Sequence, residues 1–252
     1  MSSSGEAETG PQALPAPVTT ATPVVFVVDD DVSVRDSLEL MILAAGWHPE
    51  IFPSAEDFLA HPRFDGPSCL VLDVSLPDLN GLDLQKRIDD RADMPIIFIT
   101  GYGDVPTSVR AMKAGAAEFL TKPFNDDVLR NAIEQAIGRS RLELTQEAAL
   151  RALRNCQASL TPREREIMAL VVSGRLNKQI AAELKISEIT VKAHRGRVMR
   201  KMHVDSLADL VRVAAALDGS ARMPRPIPRD RQHPRTAGSV PTTTAPADAH
   251  AQ

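Results

Sequence analysis

Cysteine is nearly absent from this sequence. Cys69 and Cys156 are the only two in 252 residues, too few for a disulfide framework or, without many histidines close by, for a four-ligand zinc site. Long apolar runs are missing too. A run such as 24–28 has a strand's length, far below the roughly 18 residues that span a bilayer. No Lys or Arg precedes Arg35 and no apolar stretch opens the chain, so no secretory signal is expected. Together these shortages point to the reducing cytoplasm and to no membrane contact. What is present is ordinary: 43% hydrophobic and 25% charged residues, which excludes wholesale disorder and a fibrous chain. At roughly 100–200 residues per domain, the length allows one large or two small domains.

The net charge of −4 hides a division. Residues 24–138 hold 20 acidic and 9 basic residues, a net of −11, whereas 159–217 hold 11 basic and 6 acidic, a net of +5. Residues 139–158 and 218–252 each carry a net of +2. An acidic front unit followed by a small basic one implies two domains with different partners, the second suited to a polyanion. Residues 1–23 and 218–252 have little to bury and read as unstructured tails, the latter basic and proline-rich. The stretch 139–158 between the two units reads as a linker helix.

In the front unit, apolar and β-branched runs recur at 24–28, 69–72, 96–100 and 118–121, with a weaker one at 47–52. Helical patterns lie between them at 33–45, 55–60, 82–90, 105–114 and 126–137. Uniformly apolar strands imply a sheet covered on both faces, hence a parallel one. The alternation predicts an α/β fold, a doubly wound five-stranded parallel sheet. In such sheets functional groups gather beyond the carboxyl ends of the strands. Those ends carry Asp29-Asp30-Asp31, Asp73, Thr100 and Thr121-Lys122-Pro123. Crowded carboxylates repel and raise one another's pKa. A hard divalent cation relieves that, and Mg2+ with several retained waters suits two or three carboxylates. A neighbouring lysine can pair with the carboxylate or with a phosphoryl group placed there. The chemistry implied is phosphoryl transfer to an aspartate.

The strings VVFVVDDDVSVRDSL, CLVLDVSLPDLNGLDL, MPIIFITGYGD and GAAEFLTKPF, in this order and strand context, resemble the receiver domain of two-component response regulators. That resemblance covers 24–138. It implies Asp73 as phosphoacceptor, Asp29 and Asp30 as the acidic pair serving Mg2+, and Ser75 offering its backbone carbonyl to the metal. It further implies Thr100 as the switch hydroxyl, Lys122 as the phosphate-pairing lysine and Phe119 as the aromatic switch, with core packing as the compatible alternative for Phe119. The Lys122-Pro123 bond is often cis in this family. Ser75 and Tyr102 occupy positions that vary in the family and are thought to tune phosphate lifetime.

The rear unit reads as a helix-turn-helix. Thr161-Pro-Arg-Glu164 is a capping box with proline at the first helical position, and Gly174 ends that helix. Asn177 is expected to cap a second helix over 178–184. Ser187 is expected to cap a third, from 188 to about 202, and a fourth runs over 207–217. In the third helix Val191, His194, Val198 and Met202 fall on one side, while Lys192, Ala193, Gly196 and Arg200 fall opposite. A basic outer face with two very small residues suits the major groove. Residues 159–217, through SLTPREREIMALVVSGRLNKQIAAELKISEITVKAHRGRVMRKM, resemble the LuxR/FixJ/NarL type of DNA-binding domain. The resemblance implies that Thr190, Lys192, Ala193 and Gly196 face bases or nearby backbone. Asn177, Lys178, His194, Arg195 and Lys201 would hold phosphates. Gly196 departs from the family, which often carries a longer side chain there.

The combination resembles a FixJ-subfamily response regulator: not an enzyme, but a transcription regulator phosphorylated on an aspartate by a histidine kinase. The expected partners are that kinase, double-stranded DNA, a second copy on activation, and RNA polymerase. Two rivals remain at this point. One is a regulator of the same build controlled by protein contacts rather than phosphorylation. The other is a phosphatase resembling the haloacid dehalogenase family, which Ser75 disfavours because a second Asp usually stands there.

Overall fold

The computed structural model describes residues 21–101 and 105–219; Tyr102 and nearly all of both tails lie outside the described residues. Alternate side chains of the central strands enter opposite cores, as a sheet covered on both faces requires. The strands are β1 (Val24–Val28), β2 (His48–Phe52), β3 (Ser68–Asp73), β4 (Ile96–Thr100) and β5 (Glu118–Thr121). All pair in parallel, in the order β2-β1-β3-β4-β5. Phe26, Leu70, Leu72 and Phe98 point into one core with Phe58, Leu84 and Ala111. Val25, Val27, Cys69, Val71, Ile97 and Ile99 point into the other, against Leu38, Ile42, Leu129 and Ile133. Each fully buried Val, Leu, Ile or Phe side chain among them contributes about 1.5–3 kcal/mol.

The helices between the strands are α1 (Val32–Ala44), α2 (Ala55–Ala60), α3 (Gly81–Arg87) and α4 (Val105–Lys113). The third is shorter than the sequence pattern 82–90. Ile88 leaves helical geometry to turn its side chain into the core, and Arg91 and Met94 close successive turns onto the carbonyls of Ile88 and Arg91. After β5 the sequence leaves open whether 125–157 forms one long helix or breaks at Gly138. Helix α5 runs unbroken from Asp126 to Ala158, through Gly138. Packing on both sides outweighs the roughly 1 kcal/mol that a helical glycine costs. Ser140, past the boundary expected at 138, is fully buried and accepts a hydrogen bond from the Ser68 amide at 2.9 Å. Near the other end, Leu153 and Cys156 pack against the helical domain's core.

That domain comprises α6 (Pro162–Val172), α7 (Asn177–Leu184), α8 (Glu188–Lys201) and α9 (Leu207–Leu217), packed around Ile167, Ile180, Val191, Val198 and Leu210. The capping box at Thr161 and Glu164 forms. Lys185 takes a left-handed conformation (φ 52°) to turn α7 into α8, the strained element of the helix-turn-helix. Asn177 is the first residue of α7 rather than its cap. Leu176 holds the extended position, and its amide donates to Gln179 Oε1 at 2.9 Å.

Glu164 is buried, yet it carries charge. Lys201 Nζ donates to its Oε2 at 2.7 Å, and the Thr161 amide donates to the same oxygen at 3.0 Å. Those bonds to the charged form hold the carboxyl at about 2, below its ordinary 4.5. A carboxyl depressed on folding stabilises above its unfolded value, and that stability is lost as pH falls from 4.5 toward 2. Thermal melts across this interval are expected to fall steeply for the native chain. Glu164→Gln keeps the cap and removes the charge, so its acid limb should be flatter; identical limbs would refute the assignment.

Candidate functional site

The strand register assembles the site. Val28 pairs with Leu72, and Asp73 pairs with Ile99, so Asp29, Asp73 and the end of β4 emerge side by side at the carboxyl edge. Thr100 pairs with Thr121, and the Lys122 amide donates to the Thr100 carbonyl at 2.7 Å. Residues up to 93 positions apart in sequence therefore meet. One carboxylate oxygen from each of Asp29, Asp30 and Asp73 can be chosen so that all three lie within 4.8 Å of one another. Asp29 is fully buried, Asp73 nearly so, and Asp30 is exposed at the mouth.

Lys122 lies between the two buried carboxylates. Its Nζ is 2.7 Å from Asp29 Oδ2 and 2.7 Å from Asp73 Oδ2. The remaining oxygens are also satisfied: Asp29 Oδ1 accepts from the Asp31 amide at 2.9 Å, and Asp73 Oδ1 from the Ser75 amide at 2.7 Å. Burial pushes the Asp29 carboxyl above its ordinary 3.8, with the Asp73 charge adding to it; the bonds from Lys122 and Asp31 offset only part. Burial alone would lower the Lys122 ammonium, but its bonds to both carboxylates outweigh that and leave it raised above 10.5. The single ammonium between two carboxylates offsets part of their mutual repulsion.

Neighbouring residues fix these groups. Asp31 caps α1 by accepting from the Ser33 amide at 2.8 Å. Arg35 donates to the Asp29 carbonyl at 2.7 Å. Gly81 was not singled out in the sequence, yet a Cβ there would stand 2.5 Å from the Asp73 carbonyl oxygen and 3.0 Å from the Val74 Cα. The Asn80-Gly81 pair before a helix was the available signal. Only glycine lets α3 start this close to the end of β3. Thr100 is fully buried at the end of β4. Phe119 is half-buried against Phe98, with ring centroids 6.2 Å apart. The Lys122-Pro123 bond is cis.

The three carboxylates form an all-oxygen donor set, which is the chemistry a hard cation such as Mg2+ requires. The residues present therefore fit that ion.

In the helical domain, α8 turns Val191, Val198 and the following Met202 inward. Lys192, Ala193, Gly196, Arg197 and Arg200 are exposed, and Thr190 is half-buried near the helix start, with its hydroxyl 2.8 Å from Ser187 Oγ. Asn177 and Arg195 meet: the guanidinium donates to Asn177 Oδ1 at 2.5 Å, which braces α7 on α8. Lys178 is exposed beside them. His194 is half-buried, its Nδ1 enclosed and without a partner. Lys201 differs from the sequence expectation. Two of its donors are engaged inside the domain, on Glu164 and on the Ser159 carbonyl at 3.0 Å, which leaves one for a phosphate. The partner glutamate, 37 residues away in another helix, gave no signal in the sequence.

Comparison with known proteins accounts for both halves. The family model described as the response regulator receiver domain matches residues 25–134, and the one described as bacterial regulatory proteins, luxR family, matches 158–214. Nodulation protein W of Bradyrhizobium diazoefficiens is 47% identical over 199 residues, covering 79% of this chain and 88% of that protein. Transcriptional regulatory protein FixJ of the same organism is 42% identical over 191 residues, covering 75% and 93%. A solved structure of the response regulator StyR matches with a TM-score of 0.69 at 45% identity, covering 78% of this chain and 100% of that one. Among the described residues no helix is long and apolar enough to cross a membrane.

Proposed function

The chain belongs to the two-component response regulators that join a receiver to a LuxR-type DNA-binding domain, and from that premise we propose that phosphorylation of Asp73 by a histidine kinase controls its binding to DNA. The observation that carries the proposal is the Asp29–Lys122–Asp73 bridge, with both nitrogen–oxygen distances at 2.7 Å. It holds the acceptor oriented and next to a cation that can follow charge onto an incoming phosphoryl group.

An Asp73 carboxylate oxygen attacks phosphorus, the phosphorus–nitrogen bond of the donor phosphohistidine breaks, and its electron pair returns to the imidazole. Asp29, Asp30, Asp73 and the Ser75 carbonyl would hold Mg2+, which when bound supplies charge neutralisation for the transferring group. Phosphorylation removes the carboxylate charge of Asp73 and brings in the charge of the phosphoryl group, so Lys122 turns its bond to a phosphoryl oxygen while Asp29 retains the other. Thr100 donates its hydroxyl to a second phosphoryl oxygen, and Phe119 follows inward. The shifted receiver population favours a dimer that sets two α8 helices on DNA half-sites, where the protein meets RNA polymerase. Lys192, Ala193, Gly196 and Thr190 face bases or nearby backbone, and Lys178, Arg195, Asn177, His194 and the spare donor of Lys201 face phosphates. The setting is the cytoplasm, where kinase, DNA and reduced cysteines coexist.

The test compares DNA affinity of the full chain before and after treatment with a small phosphodonor and Mg2+. Phosphorylation should tighten binding at least about tenfold, a coupling of 1.4 kcal/mol and well within the usual range. Unchanged affinity would instead favour control by protein contacts.

A further inference from the structure

On α8, the large apolar side chain that stands most exposed is Ile189. It is 80% exposed, the highest value for a large apolar residue among those described. At 100° per residue, Gly196 lies about 20° to one side of it, Arg200 about 20° and Ala193 about 40° to the other, and Lys192 about 60° away. The buried residues Val191, Val198 and Met202 lie within about 40° of the opposite pole. Ile189 thus occupies the centre of the outer face, one position after its first residue.

That face changes character along its length. Its C-terminal end carries Arg197 and Arg200, whereas the stretch before them, apart from Lys192 at one edge, presents Ile189, Ala193 and Gly196, and the space beside Gly196 is open to 4 Å. Small residues at 193 and 196 let the helix settle deeply, which carries the N-terminal turn, where helix-turn-helix proteins read bases, onto the groove floor. A branched aliphatic group has no donor or acceptor. Against a guanine, cytosine or adenine edge it would strip water from polar groups and return nothing. The major groove holds one apolar feature, the thymine 5-methyl group.

We propose that Ile189 is a specificity-determining residue that packs on a thymine 5-methyl group in each half-site, a reading that rests on DNA binding by α8. The neighbouring Lys192, Arg197 and Arg200 supply attraction to phosphates, and Ile189 supplies selection.

The experiment begins with the phosphorylated full chain and a random duplex pool, from which preferred half-sites are recovered. Each thymine of the recovered site is then replaced by uracil, which deletes only the methyl group, and affinities are measured for the native chain and for Ile189→Ala. At one position per half-site the native chain should lose about fourfold, the worth of one buried methyl group. Ile189→Ala, an exposed change to a better helix former that leaves the fold intact, should lose nothing at that position. Equal uracil profiles for the two proteins would overturn the proposal. Failure to recover any sequence above background would defeat the DNA-binding reading itself, and the assignment with it.

Discussion

Asp73→Asn is expected to abolish labelling by a small phosphodonor with Mg2+, lowering the acid-stable, base-labile adduct by at least about a hundredfold. The amide keeps the shape of the acid, and its oxygen can still accept the Ser75 amide now bonded to Oδ1 at 2.7 Å. It lacks the anionic oxygen that attacks phosphorus. Asp30, exposed at the mouth, and Asp29, engaged by Lys122 and Asp31, are not expected to substitute for it. Mass spectrometry of the treated chain reads the result directly. An adduct of native stoichiometry on Asp73→Asn would mean that another residue is the acceptor.

Lys122→Met should have two separable effects. The first is on stability. Asp29 is 0% exposed and Lys122 only 23%, so removing the ammonium strands a buried carboxylate. Breaking a buried pair costs about 3–5 kcal/mol; the retained Asp31 amide bond places this case near the lower end. For a receiver of this size that lowers the melting temperature by roughly 10 °C. The pH dependence has a definite sign. Without Lys122 the Asp29 carboxyl, already above 3.8, rises further, so the folded state binds a proton that the unfolded state does not. Stability then falls as pH rises through the raised value, and acidification above 3.8 restores part of it. The second effect is on signalling. Asp73 remains a nucleophile, but its adduct has no ammonium to draw inward, so DNA affinity should no longer respond to phosphodonor. A melting temperature equal to the native one, or a native response, would remove Lys122 from the role assigned to it.

The parallel sheet was legible because strands buried on both faces are apolar throughout, and a polar residue at such a strand's end stands out. That made Asp29, Asp73, Thr100 and Lys122 recognisable before any geometry was available. The LuxR-type helices were legible from their caps, since Thr161, Glu164 and Ser187 have few other reasons to stand at those spacings. Tertiary terms were not legible. The end of α3 depends on Ile88 finding the core, and the continuity of α5 depends on packing that outweighs Gly138. Gly81 shows its purpose only when the Asp73 carbonyl is seen beside it. The pairing of Glu164 with Lys201 joins residues 37 apart on different helices. On α8 the basic positions drew attention by their charge, while Ile189 needed a measure of exposure to be noticed.

Because α5 is a single rod of 33 residues, about 50 Å long, the two domains are keyed to one another by helical phase. One residue inserted between Arg141 and Leu150 would turn everything beyond it by about 100° and advance it by about 1.5 Å. Seven inserted residues would nearly restore the bearing while lengthening the rod by about 10 Å. The spacer therefore acts as an axle whose angular setting is written in residue count, and its length can drift in steps of about two turns more readily than in steps of one residue.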